Sequence, residues 1–376
     1  DISTVHMVTT TSVDGVRAHV LKPIFSFWAV ARLLLASASC ATPLRPPPPA
    51  ALDRIVEAAV ADGFAGQVVV AKGSSILYQR AAGHSDTAGT VPVRSDTLFH
   101  VASITKYLTA ILTLKAAEEG RIALDQDIGR FFPDSGLADR GTTIEQLLGH
   151  HSGMGSSYAA ESEQSASAAA SAIAAQTVDP DKIGQFRYSN DGYDLLAIIL
   201  ERVYGQSYEA LLREKIAGPG GLSHIVAWSE VDKSNPVLVG QPLSAIDEKL
   251  SRRNYGMIGS AGLMTTAADL VALQQALAAG RILGPESLGL LWQARDRISI
   301  GETTFGGFLR QSETMGPVFN VRGYEDWGDN AILNHYRDQD IYVAVVTSKG
   351  PAEDSGKKPF RDTISQAIEA VLPRLR

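Results

Sequence analysis

Strand-like and helical patterns are distributed unevenly along this chain, and their distribution restricts the fold more than any other feature. Towards the N-terminus, Gln67–Ala71 and Ser75–Arg80 are joined by a Lys72-Gly73 turn, which predicts a β-hairpin. Towards the C-terminus, three apolar runs predict strands at Pro317–Val321, Ala331–Tyr336 and Ile341–Val346. The region between the two groups is dominated by helical periodicity.

Each group of predicted strands is accompanied by a predicted helix, one ending near Gly63 and one running from about Pro359 to Leu372. We therefore expect an α/β (α+β) fold in which both chain ends build one antiparallel sheet flanked by helices. In residue numbers, the α/β half covers about 51–100 and 296–376, and the inserted helical region covers about 101–295. A cleft between the two halves is the expected place for a site.

Composition excludes several classes of function. The chain has 376 residues, a net charge of −7 and a pI near 5.7, and no run of Lys or Arg predicts a nucleic-acid surface. Cys40 is the one cysteine, so neither an intrachain disulfide nor a cysteine-based metal site is expected. His150 and His151 are adjacent and diverge on most backbones, so they do not predict a shared metal ion. The body has no apolar run of about 18 residues and no phosphate-binding or dinucleotide motif, so we expect no transmembrane span, metal or cofactor.

Residues 1–50 resemble a leader followed by a linker. After Met7 come scattered cations, an apolar stretch at Ile24–Leu35 and the small residues that precede Cys40, in the order of a secretory signal. Residues 43–49 contain five prolines, which is typical of an extended linker. We expect a secreted or periplasmic protein. Lipidation at Cys40, and an uncleaved tail on a cytoplasmic protein, remain alternatives.

A serine and a lysine one helical turn apart are the predicted centre of the chemistry. Ser103 and Lys106 begin an apolar-periodic run that ends at Gly120. The lysine can stabilise an alkoxide and share its proton during nucleophilic attack, and a helix N-terminus favours developing negative charge. A second Ser-x-x-Lys, Ser355–Lys358, lies in a polar stretch with no helical pattern behind it, so Ser103 is the predicted nucleophile.

A tyrosine and an asparagine two residues apart form a second motif. Tyr188 and Asn190 precede an apolar-periodic run that ends near Gly205. A tyrosine serves as a general base when nearby cations lower its pKa, and an amide can orient the lysine and hold a substrate carbonyl. The same pattern also suits a packed tyrosine beside a helix-capping asparagine. Its position downstream of Ser103 favours the catalytic interpretation.

These two motifs and the stretches around them resemble the serine β-lactamase and penicillin-binding-protein superfamily. Within it, the chain is most similar to the branch that holds class C β-lactamases, D-aminopeptidases and the family VIII, β-lactamase-like carboxylesterases. The similarity is carried by four stretches, which lie at 99–106, 120–125, 144–153 and 259–270. It implies a β-lactamase-like fold and acyl transfer through a covalent intermediate on Ser103, with Lys106 and Tyr188 handling the proton.

The third motif of that family, Lys-Thr-Gly or His-x-Gly on a strand beside the nucleophile, is not preserved in this chain. We expect its place at Arg322-Gly323-Tyr324, because Arg322 directly follows a strand-like run. The resemblance then implies that the amides of Ser103 and Glu325 bind the oxyanion. A rival register places the motif at Trp327-Gly328-Asp329. A surface arginine with no role in the site is the third possibility.

The resemblance leaves the substrate open between related reactions. An esterase acting on short-chain esters is the preferred function, because the Lys-Thr-Gly of most β-lactam-active relatives is absent. A β-lactamase or a D-Ala or D-amino-acid peptidase is the alternative, with Arg322 holding the substrate carboxylate. A catalytically silent scaffold is disfavoured by the intact Ser103, Lys106, Tyr188 and Asn190. The expected partner is a small-molecule ester or amide, and the sequence predicts no oligomeric state.

Overall fold

The computed structural model describes residues 49–86, 88–231, 252–350 and 358–375. The predicted leader up to residue 48, including Cys40, and most of the second Ser-x-x-Lys at Ser355 lie outside these residues. The elements described below belong to one compact unit, Leu44–Arg376. Within the described ranges, no helix combines the length and the apolar character needed to cross a membrane.

The main sheet is built from both chain ends, as predicted. Its order within the described residues is β2-β1-β11-β10-β9-β8-β7-β6, and every neighbouring pair is antiparallel. Strand β1 of the N-terminal hairpin thus lies beside the last strand, β11. The strands of this sheet are β1 (Gly66–Lys72), β2 (Ser75–Ala82), β6 (Arg297–Ile298), β7 (Gly301–Thr303), β8 (Phe308–Ser312), β9 (Gly316–Tyr324), β10 (Asn330–Tyr336) and β11 (Ile341–Thr347).

Helices cover both faces of this sheet, which explains why β1 and β11 are buried over almost their whole length. Val68 and Val70 of β1 pack towards the terminal helices on one face, and Val69 and Ala71 pack towards the inserted helical region on the other. The α-helices are α1 (Pro49–Ala61), α2 (Thr105–Glu118), α3 (Ile144–Leu148), α4 (Ala166–Ala174), α5 (Asn190–Tyr204), α6 (Tyr208–Leu211), α7 (Gly218–Gly220), α8 (Ala267–Ala278), α9 (Pro285–Leu291) and α10 (Phe360–Val371).

Two parts of the architecture were not predicted. Strands β6 to β8 are short and glycine-punctuated, and Gly301 has a φ of +137°, so their pattern differs from a regular alternation. The inserted region also contains a small sheet in the order β3-β5-β4. Its strands are β3 (Phe99–His100), β4 (Val226–Ala227) and β5 (Leu263–Thr265). This small sheet matters because β3 leads directly to Ser103.

The side chain of Gln67 connects β1 to two segments that lie far away in sequence. Its amide nitrogen donates to the carbonyl oxygens of Arg94, Ser95 and Thr97 at 2.7, 3.2 and 2.8 Å. Its amide oxygen accepts from the backbone N–H of Ala267, at the start of α8, at 2.9 Å. Gln67 is only 3% exposed, so water does not replace these bonds. One buried amide thus satisfies backbone groups from the 94–97 loop and from α8.

Replacing Gln67 by leucine should lower the free energy of unfolding by roughly 2–5 kcal/mol, because each buried polar group that loses its partner costs about 1–3 kcal/mol. Urea denaturation measures the change. Gln79→Leu, at an exposed position on β2, is the matched control and should change stability little. Equal urea midpoints for the two variants would show that the Gln67 amide does not hold these segments.

Candidate active site

Ser103 lies in a tight turn between the small sheet and helix α2. Strand β3 pairs with β5, and a single 3₁₀ turn, Ala102–Ile104, then leads directly into α2. Ala102 has a φ of +48°, a strained conformation for a residue with a Cβ. The half-buried Ser103 side chain thereby faces a cavity of about 200 Å³. Strain of this kind is common where a structure over-determines a functional side chain.

Lys106 is buried beneath Ser103 and is only 2% exposed. Its ammonium donates to Ser103 Oγ at 3.2 Å, to Asn190 Oδ1 at 2.7 Å and to the Ser260 carbonyl oxygen at 3.0 Å. An ammonium has three donors, so these acceptors satisfy all of them. A buried charge requires such pairing. The predicted meeting of the first two motifs around Lys106 is therefore present in the geometry.

Tyr188 is the second side chain that contacts the Ser103 hydroxyl. Its hydroxyl donates to Ser103 Oγ at 2.8 Å, and Lys106 Nζ lies 4.7 Å from the centre of its ring. His150 stacks on the same ring at 4.7 Å and an interplanar angle of 29°. Burial, with the nearby charge of Lys106, holds the pKa of His150 well below its usual range. The neutral ring accepts the Ser189 N–H at Nδ1, at 3.0 Å, and so fixes the segment that carries Tyr188.

Asn190 and Asp194, one turn apart on α5, fix the acceptors of Lys106. The Asn190 amide donates to the Ser156 carbonyl at 3.0 Å, which leaves its oxygen directed at the lysine. Asp194 accepts from the Gly259 N–H at 3.0 Å and from the Ser260 hydroxyl at 3.1 Å, and so holds the turn whose carbonyl receives Lys106. Burial raises the pKa of Asp194 to about 8. Sequence reasoning missed Asp194 and the role of His150, because both act through long-range contacts.

Strand β9 brings the third predicted motif beside Ser103. A Cβ atom on Gly323 would overlap the Val101 carbonyl oxygen, so only glycine allows β9 to approach the turn that carries Ser103 this closely. The Glu325 N–H donates to the Asp329 carbonyl at 2.9 Å, on the β10 side of the strand. The prediction that the Glu325 amide binds the oxyanion is therefore wrong. Because successive N–H groups of a strand point to opposite edges, it is the Tyr324 N–H that points towards the Ser103 side.

The carboxyl group of Glu325 is also turned away from the cavity. It is 8% exposed and accepts a hydrogen bond from the Tyr158 hydroxyl at 3.2 Å. Burial raises its pKa, although His100 and Lys106 act in the opposite direction. The Glu325 side chain therefore contacts Tyr158 and is not among the described residues that line the cavity.

The two registers considered for the third motif place different side chains at the cavity. Among the described residues, Arg322 lines it and Trp327 does not. Trp327 instead stacks on His100 at 6.2 Å and donates its indole N–H to Asp329 at 2.8 Å. The described lining consists of Ser103, Lys106, His150, Phe186, Tyr188, Thr303, Thr304, Gly306, Gly307, Phe308, Arg322, Tyr324 and Arg361.

Arg322 is not an isolated cation, because its guanidinium is ion-paired with Asp362 on helix α10. Arg361, which sequence reasoning missed, is a second cation at the cavity. It donates to the Gly323 carbonyl oxygen and lies over the Tyr324 ring at 5.1 Å. Burial, with the charge of Arg322, lowers the pKa of Arg361 to about 10. Two guanidinium groups thus share one carboxylate at the edge of the site.

A serine hydroxyl that contacts both a buried ammonium and a phenol, beside a strand edge with amide donors, is suited to nucleophilic attack on a carbonyl. No group of three or more His, Cys, Asp or Glu among the described side chains is arranged to hold a metal ion. The fold and the site define a serine hydrolase of β-lactamase-like fold. Residues 52–367 match the model of the Beta-lactamase family, and the chain belongs to that family.

This chain is similar to known proteins of several kinds. Penicillin-binding protein 4* of Bacillus subtilis (strain 168) is 25% identical over 336 residues, which are 82% of this chain and 72% of the relative. Protein flp of Staphylococcus aureus (strain N315) is 26% identical over 232 residues, 58% of this chain, and the match spans about half of flp, 47%. The solved D-amino acid amidase of Ochrobactrum anthropi SV3 superposes with a TM-score of 0.72 at 20% identity, covering 87% of this chain and 97% of the amidase.

Gly323→Ala should slow labelling of Ser103 by a fluorophosphonate roughly 10- to 100-fold, because a displacement of about 1 Å at a reacting centre costs that much. The added methyl group pushes β9 away from Val101. Gly289→Ala, on helix α9 with open space around the new Cβ, is the matched control and should label at the normal rate. Normal labelling of both variants would mean that β9 does not need this close approach.

Proposed function

We propose that this protein is a carboxylesterase of the family VIII type that hydrolyses short-chain esters through an acyl-enzyme on Ser103. The observation that carries the proposal is the approach of two proton-handling groups to one hydroxyl. Ser103 Oγ lies 2.8 Å from the Tyr188 hydroxyl and 3.2 Å from Lys106 Nζ. A nucleophile within hydrogen-bond reach of its base is the signature of covalent catalysis.

In the proposed mechanism, the Tyr188 and Lys106 pair first gives one proton to solvent, which leaves a Tyr188 phenolate beside the Lys106 ammonium. Ser103 Oγ then bonds to the ester carbonyl carbon while its proton passes to this pair. The oxyanion that forms is bound by the amides of Ser103 and Tyr324. The bond from carbon to the alkoxy oxygen then breaks, and the alcohol leaves with the proton held by the pair. A water molecule, giving its proton to the same pair, attacks the acyl-enzyme and releases the carboxylic acid, and Ser103 regains its proton.

Three features of the cavity support a small, neutral substrate. Its volume of about 200 Å³ is below the range of roughly 300–1,000 Å³ that is usual for drug-sized ligands. Aromatic rings contribute to the lining, among them Phe186 and Phe308, and suit an apolar acyl chain. The guanidinium of Arg322 is already paired with Asp362, so a substrate carboxylate would have to compete with Asp362 for it.

The alternative is a β-lactamase or a D-Ala or D-amino-acid peptidase. It is favoured by the second guanidinium, Arg361, because two cations share the single carboxylate of Asp362. The names of the relatives, penicillin-binding protein and D-amino acid amidase, agree with it. Substrates of these enzymes bring a carboxylate or an amide to the cavity, whereas a simple ester brings neither. The two proposals therefore differ in the charge that the cavity must accept.

We also propose that residues 51–376 are the catalytic domain and that residues 1–50 are a leader and linker that direct the protein to the periplasm or outside the cell. The family match from residue 52 supports the boundary.

Replacing Ser103 by alanine should abolish hydrolysis of p-nitrophenyl butyrate, and a fluorophosphonate should add its mass to the wild-type peptide that carries Ser103. The matched control is Ser355→Ala, which removes the serine of the other Ser-x-x-Lys and should keep full activity. Turnover retained by Ser103→Ala, or a label on Ser355, would contradict the assignment. A panel of p-nitrophenyl butyrate, nitrocefin and a D-Ala peptide then separates the esterase from its alternative.

Arg322→Ala should leave hydrolysis of p-nitrophenyl butyrate almost unchanged, because a neutral ester offers no carboxylate to the guanidinium. Activity on nitrocefin or a D-Ala peptide, where present, should fall roughly ten- to hundredfold in kcat/KM, since a charge-assisted contact contributes about 1.5–3 kcal/mol. Asp362 keeps Arg361 as a partner at 3.4 Å, so the variant should fold. Arg130→Ala, at an exposed position outside the cavity, is the control. An equal loss on neutral and anionic substrates would remove Arg322 as the residue that separates them.

A further inference from the structure

His100 is a buried histidine whose two ring nitrogens both face oxygen acceptors. It is 1% exposed, and it precedes Ser103 by three residues. Nδ1 lies 3.0 Å from Asp329 Oδ2, and Nε2 lies 2.5 Å from the Ala261 carbonyl oxygen. A neutral imidazole has one N–H and one lone pair, so it would place a lone pair against one of these oxygens. Only the doubly protonated ring, the imidazolium, donates to both.

The groups packed around His100 favour a positive charge. Asp329 and Glu325 are carboxylates from the turn between β9 and β10, and the rings of Trp327 and Trp228 flank the imidazole at 6.2 and 5.6 Å. Burial by itself lowers the pKa of His100, but the hydrogen bond and charge of Asp329, together with the charge of Glu325, outweigh burial, and the pKa is raised. The indole N–H of Trp327 donates to the same Asp329 oxygen and holds it against the ring.

The two oxygens that His100 binds belong to the two segments that complete the site. Asp329 closes the turn that follows Gly323 and Tyr324, whose strand edge faces Ser103. Ala261 directly follows Ser260, whose carbonyl oxygen accepts from Lys106 at 3.0 Å. One ring therefore joins the strand that carries the oxyanion amide to the turn that orients the catalytic ammonium.

We propose that His100 is a positioning residue that, as an imidazolium, ties the β9–β10 turn to the Ser260–Ala261 turn and so aligns the oxyanion amide and Lys106 around Ser103. The proposal rests on the proposed acyl transfer at Ser103. The stabilisation that the His100 imidazolium gives to the folded site is present in full below about pH 6.5, the pKa of a histidine in the unfolded chain. It is lost as the pH rises through the higher pKa of His100 in the folded protein.

The first test determines the protonation of His100 without any assay of activity. The full chain is labelled with ¹⁵N-histidine, and the His100 signals are identified by their absence in His100→Asn. At pH 7 both ring nitrogens of His100 should have the chemical shifts of an imidazolium. His335 is the matched control: it is also buried, and burial lowers its pKa to about 4, so it should be neutral. A neutral His100 at pH 7 would overturn the proposal.

The second test removes the partner carboxylate and keeps its size. Asp329→Asn should lower kcat on p-nitrophenyl butyrate roughly 10- to 100-fold with little change in KM, because misplaced oxyanion donors act on the transition state. The alkaline limb of its kcat profile should also move to lower pH, since the carboxylate that raises the pKa of His100 is gone. His335→Asn should lower stability and leave the pH profile unchanged.

A normal kcat and an unshifted profile in Asp329→Asn would mean that His100 only fills space, and the proposal would fail. Failure of the proposed function can be distinguished from failure of this proposal. It would appear as turnover retained by Ser103→Ala, and it would not change the protonation state that the first test measures for His100.

Discussion

The buried ammonium of Lys106 is the constraint on which the rest of the site depends. A charge removed from water must be met by acceptors on all of its donors, and here they come from three segments that are distant in sequence: the nucleophile turn, the start of α5 and the turn before β5. Each acceptor therefore has to be fixed by something else. Asn190 is fixed by Ser156, and the Ser260 turn is fixed by Asp194. The arrangement of Ser103, Asn190 and Ser260 thus follows from the need to satisfy the charge of Lys106.

A second constraint on the site is the meeting of both chain ends in one sheet. Strand β9 reaches Val101 only because β10 and β11 place it beside the nucleophile turn, and β11 is in turn held by β1 along its whole length. A residue as far from the site as Gln67, on β1, contributes by joining this sheet to the start of α8. The contacts that stabilise the α/β half therefore also align the site.

Motifs whose residues are close in sequence could be predicted, whereas the direction of each N–H group along β9 could not. Ser103 and Lys106 are one helical turn apart, so their proximity is determined by the backbone they share, and the Tyr188 motif required only that α5 pack beside α2. Which amide of β9 faces the nucleophile depends on its pairing with β10. A shift of one residue reverses the direction of every N–H, so Glu325 and Tyr324 exchange places. His150, Asp194 and Arg361 were missed for a related reason: each acts through a contact that only the tertiary structure creates.

The charges at the far edge of the cavity bear on substrate choice. Asp362 is covalently part of α10, so its effective concentration near Arg322 exceeds that of a dissolved substrate, and an anion must compete with it for the guanidinium. Arg361 offers no easier partner, because it is buried and already donates to the Gly323 carbonyl. A neutral ester meets neither obstacle and needs only the apolar surface of the aromatic rings and the strand-edge amides. The arrangement of these charges therefore supports the proposed ester substrate rather than the anionic alternative, although cations are present at the site.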